Sequence, residues 1–298
     1  MNGTNIRPAS VWATAQPSPA MQRKNRYVTA STPHPAKMLP AVAAHAIEHY
    51  TDPGDLVLDP MCGIGTTLVE AVRSGRDAVG VEYEHRWVNV TQANLDLAHA
   101  TGTTSIGQVI RGDARHLTDV LPDNLHGRVA LVVTSPPYGP ATHGHVDTIP
   151  GQGVHKRNNR YGSPLDRHNL ANLGHRRLLS GFTSILASCL PFLRPGGHVV
   201  ITVRPWREHS ELVDLPAQIL SCGIDAGLVP FERCVALLAR IAEDDQLVGR
   251  GSFFQRDFVR KQRDAGLPAH LIVHEDVLVF QAPAADALAV RAVAERAA

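Results

Sequence analysis

The segment Thr134-Ser135-Pro136-Pro137-Tyr138 follows directly on an apolar, β-branched run over residues 129–133. Two adjacent prolines lack backbone N–H groups and hold φ fixed, so the turn is stiff and rich in free carbonyls. Rigid, preorganised acceptors suit an incoming amino group. An amine on an aromatic ring is a poor nucleophile, because its lone pair is delocalised. Hydrogen bonds from its two N–H groups to Ser135 Oγ and the Pro136 carbonyl would draw that lone pair towards a nucleophilic geometry, with Pro137 stiffening the turn. Tyr138 would stack on the ring, as aromatic side chains do around a flipped base. The chemistry is in-line attack by the amine, with orientation supplying much of the rate. Taken alone, Pro-Pro-Tyr reads more readily as a structural turn. Its place at the end of a buried strand favours the chemical reading.

A second constellation lies upstream, in Asp55-Leu-Val-Leu-Asp-Pro-Met-Cys-Gly-Ile-Gly-Thr-Thr67. An apolar strand ends in Asp59-Pro60, and a loop through Cys62, Gly63 and Gly65 runs into a helix at Thr66 and Thr67. In a doubly wound sheet, ligands bind outside the carboxyl ends of the strands. Glycines let the backbone approach a ligand with no Cβ in the way. The dinucleotide fingerprint G-x-G-x-x-G is broken, since position 68 is Leu. Glu82 ends the next strand, where a carboxylate can accept from both ribose hydroxyls. Asp113, in Arg-Gly-Asp-Ala, ends the third strand and could accept from an adenine amino group. Either acid alone would pass for a solvated carboxylate; behind a glycine loop the pair reads as a nucleoside site.

The elements that must position these groups alternate along the chain. Helical patterns cover 37–50, 66–74, 88–100, 178–193 and 212–222, and strand patterns cover 56–58, 78–81, 109–110, 129–133 and 198–203. Such alternation predicts an α/β, mostly parallel, doubly wound sheet with helices on both faces. Two further strands, near 228–238 and 271–281, have no standard helix between them and are expected to pair antiparallel at the sheet edge. Residues 1–32, rich in Pro, Ala, Ser and Thr and free of acids, read as a flexible tail before a catalytic domain over 33–298.

With 298 residues and 44% hydrophobic content, the chain can bury a sizeable core. No apolar run approaches the roughly 20 residues of a membrane span, and no secretion signal is present, so a soluble cytoplasmic protein is expected. The four cysteines have no C-x-x-C spacing and read as reduced, mostly buried thiols. The 16 histidines form no H-E-x-x-H, and no metal is expected.

These motifs resemble those of the S-adenosylmethionine-dependent amino-methylating DNA methyltransferases, the cytosine-N4 and adenine-N6 methylases. That family uses Asp/Asn/Ser-Pro-Pro-Tyr/Phe for chemistry and Asp-Pro-x-x-Gly-x-Gly-Thr for the cofactor. The resemblance extends to His34-Pro-Ala-Lys-Met38, which looks like the family's segment around the methionine end of the cofactor and adds His34 and Lys37 to the site. It also reaches His274-Glu-Asp-Val-Leu-Val-Phe280, which looks like the family's final strand. It implies a Rossmann-like class I methyltransferase fold, a mostly parallel seven-stranded sheet with an antiparallel edge strand. It further implies S-adenosyl-L-methionine as cofactor, site-specific DNA methylation and a cognate nuclease as a candidate partner in restriction-modification. Ser at the first motif position leans towards cytosine over adenine. A loop similar to this one occurs in tRNA guanine-amino methyltransferases, so RNA stays the alternative substrate, and a silent nucleic-acid-binding protein a third reading. Cytosine-C5 methylation needs a cysteine on the catalytic loop, and none of the four lies there.

Net charge is only +1, so any nucleic-acid surface must be local. The long polar stretch 139–178 carries Lys156, Arg157, Arg160, Arg167, Arg176 and Arg177, opposed in 155–177 by Asp166 alone, with Tyr161 interleaved. It could track a phosphate backbone. A second basic stretch within 243–269 includes Arg256 beside Phe253 and Phe254. The inserts are short, and about 30 residues precede the domain, which favours DNA over tRNA. Target sequence and oligomeric state are left open.

Overall fold

The apolar runs become strands of a single twisted sheet in the computed structural model. It describes residues 9–137, 145–149, 153–157, 162–163, 166, 168–208, 211–251 and 253–284, with backbone alone for 145–149, 153–157 and 253–254. The sheet strands are β1 (Val11–Trp12), β2 (Leu56–Asp59), β3 (Asp77–Glu82), β4 (Gly107–Arg111), β5 (Val129–Thr134), β6 (Leu193–Val203), β7 (Val229–Leu237) and β8 (His274–Gln281). Their spatial order is β1-β7-β8-β6-β5-β2-β3-β4. The run β6-β5-β2-β3-β4 is parallel throughout, so all these strands end on one side. The strand order reverses between β2 and β5, and a crevice opens there.

Period-two alternation sends neighbouring residues to opposite faces. Leu131 and Val133 pack with Val42 and Ile47 of helix α2 (Pro40–Tyr50), Leu68 and Val72 of α3 (Thr66–Arg73) and Leu95 of α4 (His85–Ala100). Val132, Val199 and Ile201 pack on the other side with Phe182 and Ile185 of α5 (His175–Cys189) and Ile219 of α6 (Leu215–Asp225). Every residue of β5 is buried, as a central strand covered on both faces requires.

Three expectations are corrected. The two C-terminal strands do pair antiparallel, but β8 is not the edge. It lies between β6 and β7, antiparallel to both. The reason is in its composition: Asp276 to Phe280 are all buried, which suits a strand covered on both faces. A helix of 12 residues, Phe253–Asp264, does join the two strands, its periodicity hidden by charge. Its exposed face is laced by ion pairs of Arg260 and Lys261 with Asp257.

The flexible tail expected over 1–32 is packed from residue 9 onward. β1 forms the true edge, parallel to β7 through Val11↔Val235 and Trp12↔Ala236. Thr14 Oγ1 donates to the Leu237 carbonyl at 2.8 Å. Gln22 donates to the Thr14 carbonyl and accepts from the Ala41 N–H that opens α2. Tyr27 donates through its hydroxyl to the buried Glu70 of α3 at 2.7 Å, and Arg26 pairs with the same carboxylate. Polar composition misled here because each of these side chains has a specific buried partner.

Candidate active site

The strand ends β2, β3, β4 and β5 deliver Asp59, Glu82, Arg111 and Thr134 to one rim of the sheet. A single cleft opens there. His34, Lys37, Asp59, Pro60, Cys62 and Gly63 line it, as do Thr66, Thr67, Glu82 and Asp113. Ser135, Pro136 and Pro137 line the same cleft. Gly65 sits just behind, capping α3. Two motifs some seventy positions apart in sequence thus meet in one space. Tyr138 lies outside the described residues.

The loop after β2 depends on left-handed backbone at both glycines, with φ of 56° at Gly63 and 77° at Gly65. A Cβ on Gly63 would stand 2.9 Å from His34 Nε2, and one on Gly65 would stand 2.5 Å from Thr91 Cγ2. Side chains at these positions would push the loop off its supports.

Glu82 is 9% exposed and faces this loop. One carboxylate oxygen accepts from the Gly63 N–H at 2.9 Å and the other from the Glu84 N–H at 2.8 Å. Burial pushes its carboxyl up to about 7, against those two N–H donors, which favour the ionised form. Asp59 accepts from the Thr67 hydroxyl at 2.7 Å and the Met61 N–H at 3.1 Å. Burial raises it to about 6 despite these bonds. Lys37 donates to the carbonyls of Thr32 and His34, at 2.9 and 2.7 Å. Burial, then the nearby Arg23, lowers it to about 8. At Asp113, partial burial pulls upward, but the Arg115 side-chain and backbone hydrogen bonds prevail and hold the carboxyl low.

Sequence reasoning missed the far wall of the cleft. Asn169 donates to Glu84 Oε1 at 2.7 Å and accepts from the Ala171 N–H at 3.0 Å. Arg115 reaches the His168 carbonyl at 3.3 Å, pinning the end of the polar insert beside Asp113. An isolated Asn in a polar loop carries no pattern that could announce this. Among the basic candidates, Arg176 and Arg177 are exposed in the first turn of α5, and Arg256 is exposed and donates to the Gly249 carbonyl. None of these three lines the cleft. Lys156 and Arg157 lie on a two-stranded ribbon, His145–Ile149 with Gly153–Arg157, described by its backbone only. Arg160, Tyr161 and Arg167 fall outside the described residues. The four cysteines are free and buried. Among the described residues no group of three or more His, Cys, Asp or Glu could hold a metal, and no helix is long and apolar enough to cross a membrane.

These groups fit an adenosyl cofactor with an amino-acid tail. Glu82 is a buried acceptor met so far by N–H donors, suited to ribose hydroxyls. The left-handed glycines present backbone to the cleft, and Lys37 adds a cation to it.

Comparison with known proteins agrees. Residues 2–93 match a family model described as DNA methylase. The tRNA (guanine(10)-N2)-dimethyltransferase of Methanocaldococcus jannaschii is 33% identical over 121 residues, 40% of this chain and 34% of that protein. Its counterpart from Methanothermobacter thermautotrophicus is 37% identical over 107 residues, 36% of this chain and 29% of that protein. The matched segment is thus about a third of these curated relatives' length. Among solved structures, a geranyl diphosphate methyltransferase in complex with SAM aligns at 14% identity and a TM-score of 0.45, covering 82% of this chain and 85% of that one. A methyltransferase from Pyrococcus furiosus aligns at 11% identity and a TM-score of 0.45, covering 83% and 84%. The strand order is that of a Rossmann-like doubly wound sheet, and over residues 2–93, which include the glycine loop, the chain is similar to this DNA methylase family.

Proposed function

We propose that this methyltransferase modifies an exocyclic amino group of a DNA base, cytosine-N4 ahead of adenine-N6, by direct in-line transfer. The observation that carries the reading is the shared cleft: Ser135, Pro136 and Pro137 line the same space as the glycine loop and Glu82. A nucleic-acid substrate is also what the family's description and the tRNA-modifying relatives have in common.

In this reading, S-adenosylmethionine supplies an electrophilic methyl carried on a sulfonium. Glu82, ionised, accepts from the ribose hydroxyls, and Asp113 receives the adenine amino group. His34 and Lys37 hold the methionine end. Ser135 Oγ and the Pro136 carbonyl accept the two N–H bonds of the target amine and turn its lone pair inward. Tyr138 stacks on the base. The bound donor would offer its methyl in line to that nitrogen; the N–C bond would form as the carbon–sulfur bond broke, with S-adenosylhomocysteine as leaving group and the amine's extra proton passing to solvent water. No covalent enzyme intermediate is needed, consistent with a catalytic loop free of cysteine. Lys156, Arg157, Arg160, Tyr161, Arg167, Arg176, Arg177 and Arg256 contact the phosphate backbone and the flanking bases.

A second reading, methylation of a guanine amino group in tRNA, is supported by the two archaeal relatives. The amine chemistry is the same, so the two differ only in what the polar inserts recognise. The test is transfer of labelled methyl to DNA and to tRNA, followed by nucleoside analysis. N4-methylcytosine or N6-methyladenine supports the first reading, and N2-methylguanine replaces it with the second. Label on cytosine C5 overturns the mechanism. Label in neither polymer overturns both and leaves the silent nucleic-acid-binding protein.

A further inference from the structure

A glycine-rich loop has backbone freedom to lose on ordering, so something must hold it in the cofactor-ready shape. The support here is one face of α4. Trp87, Thr91 and Asn94 stand at i, i+4 and i+7, a spacing that places them along one side of a helix. All three are almost wholly buried. Thr91 Oγ1 donates to the Gly63 carbonyl at 2.7 Å, and Asn94 Nδ2 donates to the Ile64 carbonyl at 2.8 Å. Two successive loop carbonyls are therefore drawn towards α4. Because each peptide is planar and trans, drawing the Gly63 carbonyl to α4 turns the Ile64 N–H the opposite way, towards the cleft that Ile64 lines.

The same face holds the second half of the cofactor site. Asn94 Oδ1 accepts from the Val28 N–H at 2.8 Å, and Asn94 Nδ2 donates to Ser31 Oγ at 3.0 Å. Those residues lead directly into His34, whose ring packs edge-on against Trp87 with centroids 4.6 Å apart. The amide of Asn94 is thus bonded to the glycine loop on one side and, through Val28 and Ser31, to the stretch that leads into His34 on the other.

We infer that Thr91 and Asn94 are positioning residues for the methyl donor: the Trp87–Thr91–Asn94 face of α4 sets the glycine loop and the His34–Lys37 segment against each other from behind the cleft. The inference rests on reading the glycine loop as the donor site, and it requires nothing of the nucleic-acid substrate.

The test uses the full chain and S-adenosylhomocysteine as probe, with Kd by calorimetry and Tm by thermal unfolding. Thr91→Val keeps the volume and removes the hydroxyl, leaving the Gly63 carbonyl unpaired. It should weaken binding about tenfold, the factor for one lost hydrogen bond, while the folded chain persists. Thr91→Ser restores the donor and should recover most of that loss. Asn94→Asp retains an acceptor for the Val28 N–H but cannot donate to the Ile64 carbonyl, so it should also weaken binding. If Thr91→Val lowers Tm yet binds the probe as wild type does, the role is merely structural and the inference is wrong. If wild type itself fails to bind the probe, it is the donor-site reading that falls.

Discussion

Glu82 joins two demands that pull in opposite directions. Held at about 7 by burial, its carboxyl keeps a proton in the folded chain at pH values where the unfolded chain has released it. Folding therefore binds a proton, and Glu82 increasingly opposes stability as pH rises from the ordinary carboxylate range to about 7. The proposed ribose contact, in contrast, is served better by the ionised form, the stronger acceptor. Affinity for S-adenosylhomocysteine should accordingly strengthen as pH rises from 6 to 8, and Glu82→Gln should flatten that dependence. Asp59, at about 6, contributes only at the acid end, and the loss of the Lys37 charge, at about 8, should bring affinity down again in alkali. Calorimetric titrations across this range read all three limbs. Glu82→Ala should weaken binding by roughly 1–3 kcal/mol, the range for a charged hydrogen bond. Tyr138→Ala should behave differently, lowering turnover far more than it changes the Kd for the cofactor product; normal turnover in that variant would remove the stacking role. Glu82, Asp113 and Ser135 were legible in the sequence because each follows a recognisable strand, so position alone gave them meaning. Thr91, Asn94 and Asn169 were not. A polar residue inside a helix or a loop looks solvated until the tertiary contact that satisfies it is known.

At the scale of elements, the buried strands were the clearest signal, since β5 and the Val277–Phe280 stretch of β8 are apolar runs. The same run in β8 also argued against an edge position, a point that pairing order alone left out. The segment from β1 to α2 was the least legible. Its order comes from Gln22, Tyr27 and Arg26 bonding to distant partners, with no local periodicity to show it. Glu70 in particular is a buried carboxylate of α3 that accepts hydrogen bonds from Arg26 and Tyr27 of that segment. Tyr27→Phe should therefore destabilise the fold by about 1–3 kcal/mol in urea unfolding, because a buried charged acceptor loses a donor. Removing residues 1–32 should cost far more and abolish cofactor binding, since it takes Arg26 and Tyr27 from Glu70 and Val28 and Ser31 from Asn94 together. A truncated chain that melts and binds S-adenosylhomocysteine like the full one would show the segment to be dispensable.

For the whole molecule, near-neutral net charge means that the proposed nucleic-acid binding would rest on local cations. Arg176 and Arg177 are exposed in the first turn of α5, a turn that itself holds no acidic residue. Replacing both with glutamate should weaken binding to DNA or tRNA and reduce its salt dependence, with cofactor affinity unchanged, as filter binding at several salt concentrations would show. The sheet edge carries a further consequence, one of timing. Thr14 and Leu237 are bonded across 223 positions, so β1 is synthesised long before its berth on β7. A nascent chain must hold β1 undocked while most of the sheet forms, and contacts of such long sequence separation assemble slowly. The interval in which β7 is made but not yet covered is when neighbouring chains can pair with it. Yield and dispersity should thus depend on β1 reaching β7 before another chain does.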